Sequence, residues 1–207
     1  MAQLNEFSDS SLLRRLLDIS RQMIEIRDLD ELFTYAIDQV MQLVGAERGY
    51  IVLIDDNGDT HIKVSRKIEA SGVNPQGETK LQSIPVSKGD PISHSILKHV
   101  IETRQYLVVE DAMVDPRFHD KTSVLHMRLR SIMCGPLISK KQIIGAIYVE
   151  NRTDTGRFTQ NDITPLEFFC NEAAVIFENT KLYTNLEAVF KKLQQSSHEL
   201  LFWITTI

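Results

Sequence analysis

The chain has few cysteines, no long apolar run and no concentration of positive charge. Cys134 and Cys170 are its only cysteines. Two thiols do not make a disulfide framework, so reduced cysteines and a cytoplasmic setting are expected. The N-terminus lacks the apolar core of a signal peptide. No run approaches the roughly 20 apolar residues that a spanning helix needs, so membrane contact by these residues is not expected. Lys and Arg number 23 against 28 Asp and Glu, and both signs are scattered along the chain. Without a basic stripe, nucleic acid is not an expected partner. There is no Gly-rich phosphate loop and no Gly-x-Ser-x-Gly elbow. His94 and His99 are five apart, off a common helical face, and no cluster has metal-ligand spacing, so neither a metal site nor catalytic residues are expected.

What is present is enough apolar material for a core, 43% of the residues. Leu12, Leu16, Ile19, Met23 and Ile26 recur at alternating spacings of four and three, a helical stripe with a heptad rhythm. Asp30 is a plausible cap for a second helix that presents Phe33, Ile37, Val40, Met41 and Val44 and stops at Gly45. A strand is expected at 48–54. Asn57-Gly58 signals a type I′ turn. A second strand follows at about 60–68 and places Ile62, Val64, Ile68 and Arg66 on one face. Residues 69–83 read as a long loop. Gly89-Asp90-Pro91 opens a helix running to about Thr103, and a short strand covers 106–109. Residues 111–121 are polar and irregular, with a short helix near 122–129. Two apolar runs joined by Ser139-Lys140-Lys141-Gln142 form a hairpin, and from about Thr159 the chain reads as helix nearly to its end. Hairpins dominate, so the fold class expected is α+β: a mostly antiparallel central sheet with helices on its face, flanked by long N- and C-terminal helices.

Several strings, taken in order, resemble GAF domains over roughly residues 28–180. They are Leu29-Asp30-Glu31-Leu32 with Gly45-Ala46-Glu47-Arg48-Gly49, then Asp111-Ala112 with Asp115-Pro116-Arg117-Phe118. Ser131 to Leu137 and Gly145 to Asn151 follow, and then Glu178-Asn179-Thr180-Lys181-Leu182-Tyr183. The resemblance implies three parts: an N-terminal signalling helix at 1–27, a GAF domain at 28–180, and a C-terminal coiled-coil helix at 181–207 leading towards an output domain. It also implies a regulatory module that senses a small molecule and transmits, rather than an enzyme. Cyclic-nucleotide-binding relatives share an Asn-Lys, Phe, Asp-Glu pattern. Asn151, Phe158 and Asp162 match it, but Arg152 replaces the lysine and Ile163 the glutamate. That loses a Lys–Glu clasp, because Ile163 accepts no hydrogen bond. The alternative for Asn151 and Asp162 is that they end a strand and start a helix.

Bilin-binding relatives attach pigment through a cysteine, and a free methionine sulfoxide reductase with this fold clusters its cysteines at the pocket. Here Cys134 and Cys170 lie on different elements and read as packing residues. No cofactor is expected beyond an unidentified small molecule. In this family the pocket lies between the sheet and residues 84–130. Candidate ligand contacts are Arg66, Asp111, Asp115, Arg117, Ser131 and Met133. A cation on an apolar strand face, Arg66, needs an acidic ligand or a local carboxylate. The loop residues could equally cap turns. Ser197-His198-Glu199-Leu200 is similar to the start of a kinase phosphoacceptor box but lacks its continuation, and also reads as an exposed stretch of coiled coil. Ile176, Asn179, Tyr183, Leu186, Phe190, Leu193, Ser197, Leu200 and Ile204 keep a strict three–four spacing. A homodimer is expected with Leu16, Ile19, Met23, Tyr183, Leu186, Phe190, Leu193 and Leu200 in its seam. Packing of the two helices within one chain is the alternative, and a four-helix bundle satisfies both.

Overall fold

The computed structural model describes residues 2–67, 84–85 and 92–205. Helices α1 (Ala2–Glu25) and α2 (Leu29–Val44) precede the strand pair β1 (Arg48–Ile54) and β2 (Thr60–Lys67). The short strand β3 (Ile84–Pro85), helix α3 (His94–Thr103), strand β4 (Leu107–Val109) and helix α4 (Thr122–Met127) come next. The hairpin of β5 (Ser131–Ser139) and β6 (Gln142–Asn151) then leads through a 3-10 turn (Gln160–Asp162) into α5 (Ile163–Thr205). The strands form one antiparallel sheet in the order β3-β2-β1-β6-β5-β4, the α+β architecture expected. The loop at 69–83, Ile68, Gly89-Asp90-Pro91 and the side chains of Ser197-His198-Glu199-Leu200 lie outside the described residues.

Local chemistry sets the element ends, with two differences from expectation. The cap of α2 is Asp28, whose Oδ1 accepts the Glu31 N–H at 2.9 Å. Asp30 sits inside the first turn and pairs with Lys63 Nζ at 2.9 Å. Between β1 and β2, Asp55 N–H donates to Asp59 O at 2.9 Å, and Gly58 alone takes positive φ, at 88°. This is a wider loop than a type I′ turn, which needs positive φ at both central residues. Asp55 Oδ1 holds it by accepting the Asn57 and Asp59 N–H groups at 2.9 Å. Positive φ at two successive residues occurs instead at Lys140 (47°) and Lys141 (67°), the tip of the β5–β6 hairpin.

Apolar residues alternate along the strands and build two separate cores. On one face α1, α2 and α5 cover Ile51, Val64, Met133, Ile147 and Val149 with Phe33, Ile37 and Phe169. On the other, α3, α4 and the 110–121 segment cover Tyr50, Val52, Ile62, Ile132, Cys134 and Tyr148 with Ile96, Val100 and Phe118. A bulge decides which side chains of β2 face which core. Ile51 pairs with Val64 but Val52 pairs with Ile62, so Lys63 is an extra residue and the parity flips. Ile62 and Val64 therefore belong to opposite cores, correcting the single face expected for them.

The helices carry more than one apolar stripe. Leu16, Ile19 and Met23 of α1 are buried within the protomer, in the core shared with α2 and α5. This corrects their assignment to an intermolecular seam. Leu13, Leu17 and Ile24 form the exposed stripe of α1 instead. Helix α5 begins in that same core with Leu166, Phe169 and Cys170, then leaves it, and Leu182, Tyr183, Leu186, Phe190 and Leu193 are each more than half exposed. Among the described residues no helix is long and apolar enough to cross a membrane.

Candidate functional site

The face under α3 and α4 holds a cluster of buried polar side chains, Ser93, Tyr148 and Glu150. Strand β6 directs Ala146, Tyr148 and Glu150 to this side by its two-residue alternation. Glu150 is fully buried (0% exposed), and its Oε1 accepts the Arg152 Nε–H at 2.7 Å. Arg48 stands opposite Glu150 in the β1–β6 register. Burial still pushes the Glu150 carboxyl above the usual carboxylate range, against the lowering effect of Arg152 and Arg48. Tyr148, also fully buried, meets Tyr50 edge-on with ring centroids 5.9 Å apart. Burial pushes the Tyr50 phenol up to about 12 and the Tyr148 phenol well above its ordinary value. The Ser93 backbone and Glu150 approach the Tyr148 hydroxyl, yet neither Tyr148 Oη nor Glu150 Oε2 has a hydrogen-bond partner of normal geometry. At the entry to α3, buried Ser93 Oγ lies 3.0 Å from Ser95 Oγ and 2.9 Å from Ser123 Oγ of α4, tying the two covering helices together.

The residues singled out from sequence are not gathered there. Arg66 lies beyond the Lys63 bulge and points to the helical face, where its Nε and Nη2 donate to Asp38 Oδ1 and Oδ2 of α2 at 2.6 and 2.7 Å. Met133 packs in the same core. Ser131 Oγ accepts the Phe158 N–H at 3.0 Å and donates to Val109 O at 3.4 Å. These three residues face away from the polar cluster, for the plain reason of strand parity. Asp111, Asp115 and Arg117 do lie in the segment covering the cluster, with their charges spent locally. Asp111 accepts Arg130 Nη1 at 3.1 Å and the Met113 N–H at 3.1 Å. Asp115 accepts Arg117 Nε and Nη2 at 3.0 and 2.7 Å, and that guanidinium stacks 5.2 Å from the Phe118 ring centre. Ionic hydrogen bonding holds the Asp115 carboxyl below its ordinary value.

The nucleotide-type pattern is occupied by scaffold contacts. Asn151 Oδ1 accepts the Glu47 N–H at 2.9 Å and Glu47 Oε2 accepts the Arg152 N–H at 3.0 Å, a clamp between the start of β1 and the end of β6. Asp162 Oδ2 accepts the Thr159 N–H at 2.7 Å in a capping box, and Phe158 is buried in the helical-face core. Arg152 turns to Glu150. Cys134 and Cys170 sit on opposite faces of the sheet, both fully buried, and burial pushes both thiols far up. Sequence reading passed over Tyr50, Tyr148 and Glu150. The available signal was a glutamate at the buried parity of an otherwise apolar strand.

Comparison with known proteins agrees with this architecture. The profile of the GAF domain family matches residues 28–177. The dual 3′,5′-cyclic-AMP and -GMP phosphodiesterase 11 of Drosophila melanogaster is 30% identical over 189 residues, covering 88% of this chain and 13% of that protein. A hybrid signal transduction histidine kinase G of Dictyostelium discoideum is 25% identical over 89 residues, or 43% of this chain and 3% of that one. The chain thus spans a small fraction of the relatives it matches. Among solved structures, the GAF domain of a phosphoenolpyruvate-protein phosphotransferase from Coxiella burnetii superposes with a TM-score of 0.62 at 11% identity, covering 84% of this chain and 96% of that one. The corresponding Acinetobacter domain gives 0.61 at 16% identity, with coverages of 83% and 95%. A likeness at such identities speaks for the fold, and the profile match over most of the chain makes the assignment: this chain belongs to the GAF domain family.

Proposed function

We propose that the chain is a non-catalytic, small-molecule-sensing regulatory domain of a cytoplasmic signalling protein, and that it dimerises through its flanking helices. The observation that carries this reading is the division of labour between the two sheet faces. One face is consumed by α1, α2 and α5, while the other holds the buried polar pair Tyr148 and Glu150 beneath α3 and α4. Strand β6 belongs to both, with Tyr148 and Glu150 on the polar side and Ile147 and Val149 under the helices. A ligand that favours one arrangement of β6 shifts the population of helix positions only by its difference in affinity for the two. The hairpin tip offers a route outward: Lys140 Nζ lies 2.7 Å from Glu178 Oε1, and Ser139 Oγ donates to Glu178 Oε2. Glu178 is placed where α5 leaves the core for its exposed stripe.

The exposed stripe on α5, together with Leu13, Leu17 and Ile24 of α1, is the surface on which two copies would meet. The parent protein is a phosphodiesterase or a histidine kinase, in keeping with the names of the relatives. Those names describe whole proteins acting on cyclic nucleotides or phosphoryl groups and do not transfer to this segment. Native mass spectrometry of the protein purified from its own host tests the sensing role, because a retained small molecule is expected. Light scattering at tens of micromolar tests the dimer, with Leu186→Asp as the dissociating variant. A monomeric parent protein sinks the dimer, and a bare protein sinks the sensor.

A second reading, a ligand-free dimerisation module, is favoured by one observation. Ile92, Ile96, Val100 and Leu129 are fully buried against the polar side of the sheet. The bare outcome in the same mass spectrum selects it. A methionine sulfoxide reductase is disfavoured by the two thiols, which lie on opposite sides of the sheet and are held protonated by burial.

A further inference from the structure

We propose that Asn57, in the loop between β1 and β2, is a self-modifying site: the backbone nitrogen of Gly58 attacks its side chain, and the residue converts without an enzyme to aspartate and isoaspartate. The inference stands apart from the sensing role and needs only water. Asparagine is among the chemically labile side chains, and Asn57 is the only asparagine of the chain that precedes a glycine. Any other residue in place of Gly58 would set a Cβ beside the attacking nitrogen. Glycine sets none and leaves the backbone free to turn. The fold then exposes this pair rather than protecting it. Residues 55–59 are all exposed, and a Cβ built on Gly58 meets nothing within 4 Å. The Asn57 N–H donates to Asp55 Oδ1 at 2.9 Å, while its side-chain amide has no partner among the described residues. The Gly58 N–H closes the turn by donating to Asp55 O at 3.0 Å. That is the bond the attack must break, and exposed loops open locally at low free energy. Asn151 is the contrast: it is buried, its Oδ1 accepts the Glu47 N–H at 2.9 Å, and Arg152 follows it.

Gly58 gives up its amide proton, and its nitrogen forms a bond to Asn57 Cγ. The Cγ–Nδ2 bond breaks, ammonia leaves with that proton, and a five-membered succinimide closes. Water then adds to one of the two ring carbonyls. Cleavage between Cγ and the ring nitrogen gives aspartate. Cleavage between the backbone carbonyl carbon and that nitrogen gives isoaspartate, whose chain runs on through Cγ. No electrons are transferred: an amide and a water become a carboxylate and an ammonium. Both products add a negative charge beside Asp55, Asp56 and Asp59. Isoaspartate also adds a carbon to the backbone. Asp55 Oδ1 accepts the Asn57 and Asp59 N–H groups together at 2.9 Å, and a longer chain between the two cannot keep both. The loop also reaches the long helix, with Asp56 Oδ1 3.9 Å from Lys181 Nζ. The modification is thus placed where the sheet touches α5.

The test is a time course of the full chain at pH 8.5, with tryptic peptides separated by chromatography and read by mass spectrometry. The peptide holding Asn57 is expected to gain the mass of an amide turned to acid and to split into aspartyl and isoaspartyl forms. Peptides holding Asn151, Asn171 and Asn179 are expected to convert at least tenfold more slowly, because a side chain follows each of those residues. Gly58→Ala is expected to slow the reaction at least tenfold for the same reason. Asn57→Gln, whose ring would have to be six-membered, is expected to stop it. The native chain is expected to react within about tenfold of the guanidinium-unfolded chain, since only the turn protects it. The proposal is overturned if native Asn57 keeps its amide while the unfolded chain converts, or if Gly58→Ala reacts at the parent rate. Formation of aspartate alone would also overturn it, because direct hydrolysis gives that product without the ring. An isoaspartyl fraction whose Asp59 amide exchanges with solvent as slowly as in the parent would refute the loosening of the loop.

Discussion

The pair Arg66–Asp38 ought to behave as a structural clasp between β2 and α2, and a double-mutant cycle decides it. Two near-parallel hydrogen bonds of 2.6 and 2.7 Å join a guanidinium to a carboxylate in the strong, bidentate geometry. The side chains are 13% and 28% exposed, so the pair lies between an exposed ion pair and a buried one. Exposed pairs couple by about 0.2–1 kcal/mol, and breaking a buried pair costs about 3–5 kcal/mol. The intermediate position leads us to expect a coupling energy of about 1–2 kcal/mol. Arg66→Ala alone should destabilise by about 2 kcal/mol, since the loss includes the packing of its aliphatic stem. The assay is urea unfolding of the parent protein, Arg66→Ala, Asp38→Ala and the double variant, with m unchanged across the four. A coupling below about 0.5 kcal/mol would refute the clasp. So would an Arg66→Ala variant of full stability that loses a bound ligand, because the bulge at Lys63 would then not have turned this side chain to the helices.

Three further outcomes follow from the same geometry. A methyl group built on Gly145 would meet Val52 O at 2.1 Å and Leu53 Cα at 3.1 Å, both of them backbone, so Gly145→Ala must separate β1 from β6. It should cost roughly 2–4 kcal/mol in urea unfolding, against about 1 kcal/mol for Gly58→Ala, where a left-handed φ is the whole penalty; equal costs would contradict the strand spacing. Cys134 and Cys170 should resist a thiol reagent at pH 8 until the protein unfolds, and rapid labelling of either would disprove their burial. Glu150 titrates above its ordinary value in the fold, with Arg152, Arg48, Tyr148 and Tyr50 around it. Between the unfolded and folded values the native state holds a proton that the unfolded chain has released, so this residue's contribution to stability falls as pH rises through that window. Glu150→Gln should flatten the slope, and parallel pH–stability curves for the two proteins would refute it.

Much of this molecule is written in short-range patterns. The heptad stripes of α1 and α5, the Gly45 stop of α2, the alternation along β5 and β6 and the polar link at 139–142 follow from side-chain period and turn chemistry. Together they gave the element order and the family. The same patterns were silent on choices made only when elements pack. Helix α1 carries two apolar stripes of similar strength. Only contact with α2 and α5 selects Leu16, Ile19 and Met23 for the core and leaves Leu13, Leu17 and Ile24 outside. One extra residue at Lys63 reverses the faces of β2, because strand direction has a period of two and a bulge shifts it by one. That shift carries Arg66 to Asp38 and takes the expected cation away from the ligand side. Glu150 makes the same point: a carboxylate is read as charge in the sequence, and becomes a buried group pushed above its ordinary range only when the helices have closed over its face of the sheet. Sequence periodicity settled which residues are apolar neighbours along the chain. Tertiary packing settled which side of the sheet each one serves, since that depends on register and on which partner covers it.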